Sequence, residues 1–525
     1  MAFTWGQTVE RRTSGVPFLV YAPRRTQVAQ LLEDAARWSD RTHLVQGDKR
    51  LTFADMFREI ERVAAGLHAS GLRAGDRLLL LAPNSVEWVV AMWAGFRLGA
   101  VVTLGNSWWS AADVEYAVGL VRPAVVIADA PRLALLPPGV PGVDITTLAV
   151  SATDTSATDA GELPPPRAAD EDDPAVIIFT AGTTGNPKAV VLAHRSVLAN
   201  LHNLLAVSRR LPHQIDETRS PAVSLQSGPL FHIGGLQSLL LALLGGNTVV
   251  FLKGRFDPGE VLELIERERV TVWGAVPTMA VRAVDHPSAA RRDLSSVRSI
   301  SMGGTPVQPH LLERLRMFFP NAGKGLSTVY GMTETGGTVA SASGALMAEH
   351  PDTAGRPLPV VELRIDSPDA RGDGEIVVRT PGQLLGYWGQ EHPALLDDEG
   401  FVHTGDLGRI EDGLLYVTGR IKDLIIRGGE NIAPARVEAA LLTHPAVVNA
   451  AVIGRPDEDL GERVAAMVQL AQGASADAEE LAAHVAPVLA KFELPVEWRI
   501  GTEPLPMSDA GKTDKRAIAA AWPAD

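Results

Sequence analysis

The chain has 525 residues, a formal net charge of −14 and no cysteine. This length exceeds what one hydrophobic core can organise, so at least two domains are expected. The negative charge argues against a general nucleic-acid or membrane surface, because both favour basic patches. The lack of cysteine excludes disulfides, thiolate metal sites and a cysteine nucleophile, and it fits a cytoplasmic location.

The first 170 residues alternate helical and strand patterns, which predicts a layered α/β domain with a largely parallel sheet. Helices are predicted at 27–38, 52–70 and 86–98, and strands at 77–82 and 125–128. Thr52 is the expected N-cap of the second helix.

The sequence predicts neither a signal peptide nor a membrane span. The start of the chain lacks a basic stretch followed by an apolar one. The most apolar segment, 230–252, contains polar residues and four glycines. A buried helix followed by a strand is therefore predicted there.

A phosphate site is predicted in residues 179–189, which read Phe-Thr-Ala-Gly-Thr-Thr-Gly-Asn-Pro-Lys-Ala. They follow an apolar run, 175–179, of the kind that forms a buried strand. The glycines allow close backbone approach, and the threonines and Lys188 can face an anion. No Ser or Thr follows the lysine, so this is not a Walker A loop. The alternative is a polar connector between strands.

A second candidate segment, Gly228-Pro-Leu-Phe-His-Ile-Gly-Gly235, places an aromatic ring and a histidine beside two glycines. A lone histidine in apolar surroundings is more often a hydrogen-bonded core residue than a catalyst.

Strands are predicted at 270–275 and 297–301, and the second leads into Gly303-Gly-Thr-Pro306. Ligands of open α/β sheets bind beyond the carboxyl ends of the strands, where this turn is expected.

Two further motifs carry groups that suit a nucleotide. In Tyr330-Gly-Met-Thr-Glu334 the ring can stack on a purine, Thr333 can contact a phosphate, and Glu334 can hold Mg²⁺. Asp406, in Thr-Gly-Asp, can accept hydrogen bonds from both hydroxyls of a ribose. For either motif alone, the alternative is an ordinary turn with a surface carboxylate.

Residues 419–432 read Gly-Arg-Ile-Lys-Asp-Leu-Ile-Ile-Arg-Gly-Gly-Glu-Asn-Ile. Charges inside a strand-forming segment, followed by two glycines, suggest a joint between domains. Arg420 offers a planar donor fork for ribose or phosphate. The alternative is a hairpin with surface charges. A compact α+β domain is predicted after it, with helices at 435–442 and 478–490 and strands at 447–453 and 464–470.

Over nearly the whole chain, the order of these motifs resembles that of the acyl-activating, adenylate-forming enzymes, which include acyl-CoA synthetases. The resemblance implies an α/β fold with a large N-terminal domain of layered sheets and helices, residues 1–418. A small mobile α+β domain, residues 419–525, would follow a hinge near Lys422. The implied reaction joins a carboxylic acid to ATP, giving an acyl adenylate and pyrophosphate, and then transfers the acyl group to coenzyme A. Mg²⁺ is the implied metal.

The same resemblance implies the site residues. The catalytic residues would be Lys512, Glu334, Thr333 and His232. The cofactor-binding residues would be Thr180, Gly182, Thr183, Thr184, Gly185, Lys188, Gly303, Gly304, Thr305, Tyr330, Gly331, Asp406, Arg420, Lys422, Gly428 and Gly429. The acyl-binding residues would be Phe231, His232, Gly235, Met302 and Gly336, and the metal ligands would be Thr184 and Glu334.

Three positions depart from the family pattern. Ala181 replaces a serine in the phosphate loop, and the lost hydroxyl is expected to weaken ATP binding without abolishing the chemistry. Ala189 replaces a glycine, and its extra bulk is expected to stiffen the loop. Thr328 stands where many relatives carry an amide near the adenine.

Two other functions stay open on the resemblance: an enzyme that loads a separate carrier protein, and a non-catalytic acyl- or nucleotide-binding relative. Coenzyme A is favoured as the acceptor, because no carrier domain follows and because residues 428–432 look like the acyl-CoA ligase form of their loop. The retained lysine, carboxylates and arginine argue against a non-catalytic relative. The glycine-opened pocket suggests an aliphatic or cyclic acid of medium or greater size. No nucleic-acid or integral membrane partner is expected, and a homodimer is left open.

Overall fold

The computed structural model describes residues 3–13, 15–148, 163, 169–180, 186–304, 307, 309–390, 395–507 and 513–522. Within these ranges, none of the helices is both long and apolar enough to cross a membrane. The α-helices are Leu31–Ala35, Phe53–Ala69, Val86–Arg97, Ala111–Val121, Ala130–Leu133, His194–Val207, Ile233–Leu244, Pro258–Arg267, Pro277–Asp285, Pro309–Phe318, Ala345–Glu349, Pro434–Leu441, Ala478–Val485 and Lys515–Ala520. Short 3₁₀ helices are Val28–Gln30, Ala36–Trp38, Ile145–Leu148, Pro212–Gln214, Ala289–Arg291, Gly323–Gly325, Thr333–Thr335 and Ile421–Asp423.

A seven-stranded sheet is built mainly from the first part of the chain. Its strands, in spatial order, are Gly386–Tyr387, Lys188–Ala193, Pro174–Thr180, Val101–Leu104, Arg77–Leu81, Val125–Ala128 and Gly142–Asp144. The last five are parallel, and the first two extend one edge in antiparallel fashion. The central strands are buried at nearly every residue, as expected of parallel strands that are covered on both faces.

A nine-stranded sheet carries the predicted ligand turns. Its strands, in spatial order, are Arg356–Pro357, Gly337–Ser343, Leu326–Met332, Ser299–Gly303, Val272–Ala275, Val223–Gln226, Thr248–Phe251, Thr42–Gln46 and Lys49–Thr52. The six strands from Leu326–Met332 to Thr42–Gln46 are parallel. Their carboxyl ends share one edge, where a ligand is expected.

One hydrophobic core joins helices Phe53–Ala69 and Val86–Arg97 to both large sheets. Val86–Arg97 is buried at eleven of its twelve residues, as expected of a helix that is apolar all round. Phe53–Ala69 begins at the predicted cap, where the Thr52 side chain accepts a hydrogen bond from the backbone N–H of Asp55.

The described residues also form three smaller sheets. A two-stranded sheet contains Thr8–Arg11 and Leu19–Ala22. An antiparallel sheet contains Glu362–Asp366, Gly374–Arg379, Val402–Glu411 and Leu414–Arg420. The C-terminal sheet contains Glu430–Ile432, Ile425–Arg427, Gly461–Leu470, Val447–Asp457 and Glu497–Gly501. Helices Pro434–Leu441 and Ala478–Val485 pack on this last sheet around a separate core.

The predicted α/β class, with layered sheets and a small C-terminal α+β unit, is confirmed, and three details differ. The early strands divide between two sheets, because Thr42–Gln46 pairs with Thr248–Phe251. The helix predicted at 27–38 contains only one α-helical stretch, Leu31–Ala35, between two 3₁₀ turns. The helix predicted at 478–490 ends at Val485, because Pro487 lacks the N–H that would continue it.

Candidate active site

A cleft of about 2900 Å³ lies at the carboxyl edge of the nine-stranded sheet and extends to the four-stranded sheet and the C-terminal unit. The predicted residues that line it are Thr180, Lys188, Phe231, His232, Gly235, Met302, Gly303, Gly304, Tyr330, Gly331, Thr333, Glu334, Asp406, Arg420 and Lys422. Of the other described candidates, Gly336, Gly428 and Gly429 lie elsewhere. Ala181, Gly182, Thr183, Thr184, Gly185, Thr305 and Lys512 lie outside the described residues. Thr328 also lines the cleft, and Ala189 packs in a small core beside it.

Thr180 and Lys188 stand side by side at the base of the predicted phosphate loop. Thr180 ends the strand Pro174–Thr180, and Lys188 begins the antiparallel strand Lys188–Ala193. The two residues lie directly opposite each other in this strand pair. Thr180 Oγ1 donates a long hydrogen bond to Glu334 Oε1 at 3.5 Å. Lys188 Nζ lies 4.9 Å from the centre of the Tyr387 ring, within cation–π range. A hydroxyl, an ammonium and a carboxylate therefore meet at the mouth of this loop.

Glu334 is a buried carboxylate, only 7% exposed. Burial raises its pKa, and this rise is opposed by hydrogen bonds from the backbone and from the Tyr387 hydroxyl, which donates to Oε1 at 3.2 Å. Mg²⁺ is usually held by one or two carboxylates together with substrate phosphates. The described residues contain no cluster of three or more metal-binding side chains. Among the described residues, Glu334 fits Mg²⁺ as a carboxylate ligand that is shared with phosphate oxygens.

Asp406 is held from two sides at the other end of the cleft. It lies opposite Arg420 across two antiparallel strands, and Arg420 Nε is 2.8 Å from its Oδ1. The Tyr330 hydroxyl donates to Oδ2 at 2.9 Å. Burial, reinforced by the Asp406 charge, raises the pKa of Tyr330 well above its ordinary value, so the phenol stays a donor at neutral pH. Each carboxylate oxygen keeps a second lone pair for a ribose hydroxyl.

Phe231 and His232 lie where a helix, Ile233–Leu244, points its N-terminus into the cleft. His232 is the N-cap residue. The two rings are 4.7 Å apart, and Phe231 packs edge-on against Trp108 at 5.2 Å. The aromatic contacts fix the chain just before the helix, so His232 is presented at the cleft wall.

Two glycines predicted to contact the acyl group are required by backbone packing. A Cβ on Gly235 would lie 2.2 Å from the carbonyl oxygen of Pro229, and one on Gly336 would lie 1.9 Å from that of Gly382. Gly336 also has φ of 73°, which disfavours any other residue. Gly235 lines the cleft, whereas Gly336 is buried outside it, so its position gives no support to the predicted acyl contact.

The predicted hinge residue, Lys422, lies in the 3₁₀ helix Ile421–Asp423, between the four-stranded sheet and the C-terminal sheet. Gly428 and Gly429 form the turn of the next hairpin, with φ of 58° and 87°. This short irregular connection is where a rotation of the C-terminal unit would be absorbed.

Tyr387 contacts both Glu334 and Lys188, yet it was absent from the predicted site residues. It lies on an edge strand of the seven-stranded sheet, far along the chain from Lys188. Its pKa is raised by burial and by the Glu334 charge. In the sequence its only signal is a Gly-Tyr-Trp tripeptide, which carries no ligand pattern.

Comparison with known proteins places this geometry in a family. A profile described as AMP-binding enzyme matches residues 31–388, and one described as AMP-binding enzyme C-terminal domain matches residues 436–512. A feruloyl-CoA synthase from an Amycolatopsis species is 35% identical over 488 residues, which cover 91% of this chain and 95% of the relative. A long-chain-fatty-acid–CoA ligase of Bacillus subtilis (strain 168) is 29% identical over 551 residues, covering 96% of both chains.

Solved structures of CoA synthetases are similar to this chain over nearly its whole length. The o-succinylbenzoate CoA synthetase of Bacillus subtilis, in complex with its acyl-adenylate intermediate, matches with a TM-score of 0.79 and 30% identity over 95% of this chain and 99% of that one. The same synthetase with ATP and magnesium ion matches with a TM-score of 0.75 and 30% identity, over 92% and 98% of the two chains.

Proposed function

The chain belongs to the family of AMP-binding enzymes and is an AMP-forming acid–thiol ligase, and from that premise we propose which of its residues carry each step. The enzyme converts a carboxylic acid and ATP into an acyl adenylate and pyrophosphate, then transfers the acyl group to coenzyme A and releases AMP. The convergence of Lys188, Glu334 and Asp406 on one cleft supports the assignment, because these residues come from three separate parts of the chain.

The nucleotide is held from both ends. Asp406 accepts the ribose hydroxyls, and the Tyr330 ring covers the purine. Thr180 and Lys188, with the phosphate loop, hold the β- and γ-phosphates. Fixing these groups leaves the α-phosphorus facing His232 and the acyl carboxylate, which removes much of the entropic cost of bringing two anions together.

In the first step a carboxylate oxygen attacks the α-phosphorus, and the bond to pyrophosphate breaks. Negative charge gathers between the two reactants, so the assistance needed is chiefly electrostatic. Lys512 bridges the carboxylate and the α-phosphate, and Thr333 donates to the α-phosphate. Mg²⁺, when held by Glu334 and the phosphates, neutralises the remaining charge.

In the second step the coenzyme A sulfur attacks the acyl carbonyl, its proton is lost, and AMP departs. Lys512 and the incoming thiol cannot occupy one place, so the small domain, residues 419–525, rotates about a hinge near Lys422 relative to residues 1–418. Gly428 and Gly429 belong to the face used in this step, which agrees with their position outside the cleft lining.

Acid-dependent release of pyrophosphate from ATP, followed by acyl-CoA formation when coenzyme A is added, tests this function. If no acid in a broad panel stimulates the release, adenylation is contradicted. Comparing coenzyme A with a phosphopantetheinylated carrier protein separates the ligase from a carrier-loading enzyme. A cytoplasmic location belongs to the same proposal, because a chain without cysteine fits a reducing compartment. A homodimer is left open.

Tyr387→Phe is expected to move the acid limb of kcat/KM for ATP to higher pH. Glu334 must be ionised to hold Mg²⁺, and burial already places its pKa above the ordinary value. Activity should therefore fall as the pH drops through this raised pKa. Removing the Tyr387 hydroxyl deletes a hydrogen bond that favours the ionised form, so the pKa of Glu334 should rise further.

The pH profile of kcat/KM reports the free enzyme, which is the state in which Glu334 is buried without metal. Tyr116→Phe, at an exposed position, serves as the matched control and should leave the profile in place. An unchanged acid limb in the Tyr387 variant would contradict the contribution assigned to this hydrogen bond.

A further inference from the structure

The cleft continues past the candidate reaction centre as a channel along one face of the nine-stranded sheet. Strand registers align three rows of residues on this face: Gly303 and Val329 at the carboxyl edge; Gln226, Gly274, Ser301 and Ser327 below them; and Ser224, Val272 and Ser299 below those. All of these residues line the cleft. Trp273 and Ile300 alternate with them and fill a core on the opposite face.

Gly274 shows that the channel is open in the middle of the sheet. Its strand lies between Val223–Gln226 and Ser299–Gly303, where both faces of a parallel sheet are normally covered. Gly274 is nevertheless exposed, and a Cβ placed on it would meet no atom within 4 Å. Since protein interiors are otherwise close-packed, this space is part of a built cavity.

The opposite wall is one face of helix Ile233–Leu244 and its C-cap. Gly234, Ser238, Leu241 and Gly245 follow one another at helical spacing, and all line the cleft. A Cβ on Gly234 would also meet no atom within 4 Å. The first and last of these positions are separated by about 16 Å at 1.5 Å per residue.

The three rows on the sheet wall contain no charged side chain. From Gly303 to Ser299 the sheet wall runs about 13 Å, at roughly 3.3 Å per residue. Its serines can satisfy their own hydroxyls on strand carbonyls, as Ser299 does with Gly325 O at 3.0 Å. Ser238 likewise donates to Gln226 Oε1 at 2.6 Å. A methylene chain can therefore lie against this wall without leaving those two hydroxyls unpaired.

We propose that the channel holds the tail of an extended, unbranched carboxylic acid of about ten to twelve carbons, since a zigzag chain built from C–C bonds of about 1.5 Å advances roughly 1.3 Å per carbon. The inference rests on the proposed function, because the acid's carboxylate must lie at the adenylation centre. Gly274 and Gly234 are the specificity-determining positions, because any side chain there projects into the path of the tail.

The test is a chain-length series of n-alkanoic acids from butanoate to hexadecanoate, with benzoate as a compact acid, measured by pyrophosphate release. For the wild type, kcat/KM is expected to rise about fourfold per added methylene until the channel is full, as burial of each methylene predicts. A profile that peaks at benzoate or butanoate would overturn the channel proposal and leave the ligase function intact. If no acid supported release, the function itself would fail.

The variant Gly274→Val provides a second test of the channel. Valine suits a strand, and its methyl groups have open space, so the variant should fold. Dodecanoate is expected to lose at least about tenfold in kcat/KM, equivalent to two or more unburied methylenes, whereas butanoate should change less than about twofold. The matched control is Gly254→Val, at an exposed glycine with equally open space outside the cleft lining. Equal losses for both acids in a folded Gly274 variant would contradict the proposal.

Discussion

Replacing Lys512 with alanine is expected to lower the rate of acyl-adenylate formation by roughly 10²–10³-fold, the typical effect of removing one preorganised donor from a developing anionic centre. Thioester formation from preformed acyl adenylate should stay nearly unchanged, because Lys512 leaves the site before the thiol enters. The two half-reactions are measured separately, by pyrophosphate release and by acyl-CoA formation from added acyl adenylate.

Lys512 lies outside the described residues, but its segment has a fixed base. Met507 and Thr513 pair as an antiparallel bridge, and the backbone N–H of Asp514 donates to Pro506 O at 2.8 Å. Lys491→Ala is the matched control, since it removes the same charge from an exposed position of the C-terminal unit that lies outside the cleft lining. If both half-reactions fell equally in folded Lys512→Ala, the proposed role would be contradicted.

Asp406→Ala is expected to raise the KM for ATP by roughly 10²-fold, because two hydrogen bonds to a charged acceptor are each worth about 1.5 kcal/mol or more. Asp406 is only 6% exposed, so water cannot readily replace it. The substitution also leaves Arg420 and Tyr330 without their shared partner. Asp406→Asn keeps one acceptor oxygen and should lose less.

Comparison of ATP with 2′-deoxy-ATP tells ribose recognition from general damage. The wild type should discriminate between the two nucleotides, and Asp406→Ala should not, because the group that reads the 2′-hydroxyl is gone. Glu411→Ala, at an exposed carboxylate on the same strand, should keep the discrimination. If Asp406→Ala still preferred ATP by the wild-type factor, the ribose would have to be read elsewhere.

Much of the local structure could be predicted because its signals lie within a few residues. The Thr52 cap needs only Asp55, three positions away. The strand predicted at 125–128 is observed as Val125–Ala128, since four consecutive apolar residues suit a strand buried on both faces. The motif Tyr330-Gly-Met-Thr-Glu334 could likewise be recognised, because its aromatic ring, hydroxyl and carboxylate lie within five residues.

Contacts between residues that are distant in the sequence could not be predicted, because no local pattern indicates them. Tyr387 reaches Glu334 and Lys188 only because its edge strand pairs with Lys188–Ala193. The resemblance assigned Gly336 to the acyl-binding residues, yet Gly336 lies outside the cleft lining and its backbone packs on Gly382. Both outcomes depend on pairings between distant segments, which a motif does not encode.

The sequence by itself indicated the reaction class, because the order of its short polar motifs resembles that of the adenylate-forming enzymes and each motif lies within a few residues. The tertiary structure alone decided the shape of the proposed acyl channel. Alternation along Val272–Ala275 predicts two faces for the strand, but it cannot say which face will be left uncovered. Only the order of the strands and the position of helix Ile233–Leu244 place Gly274 and Gly234 on opposite walls of one channel.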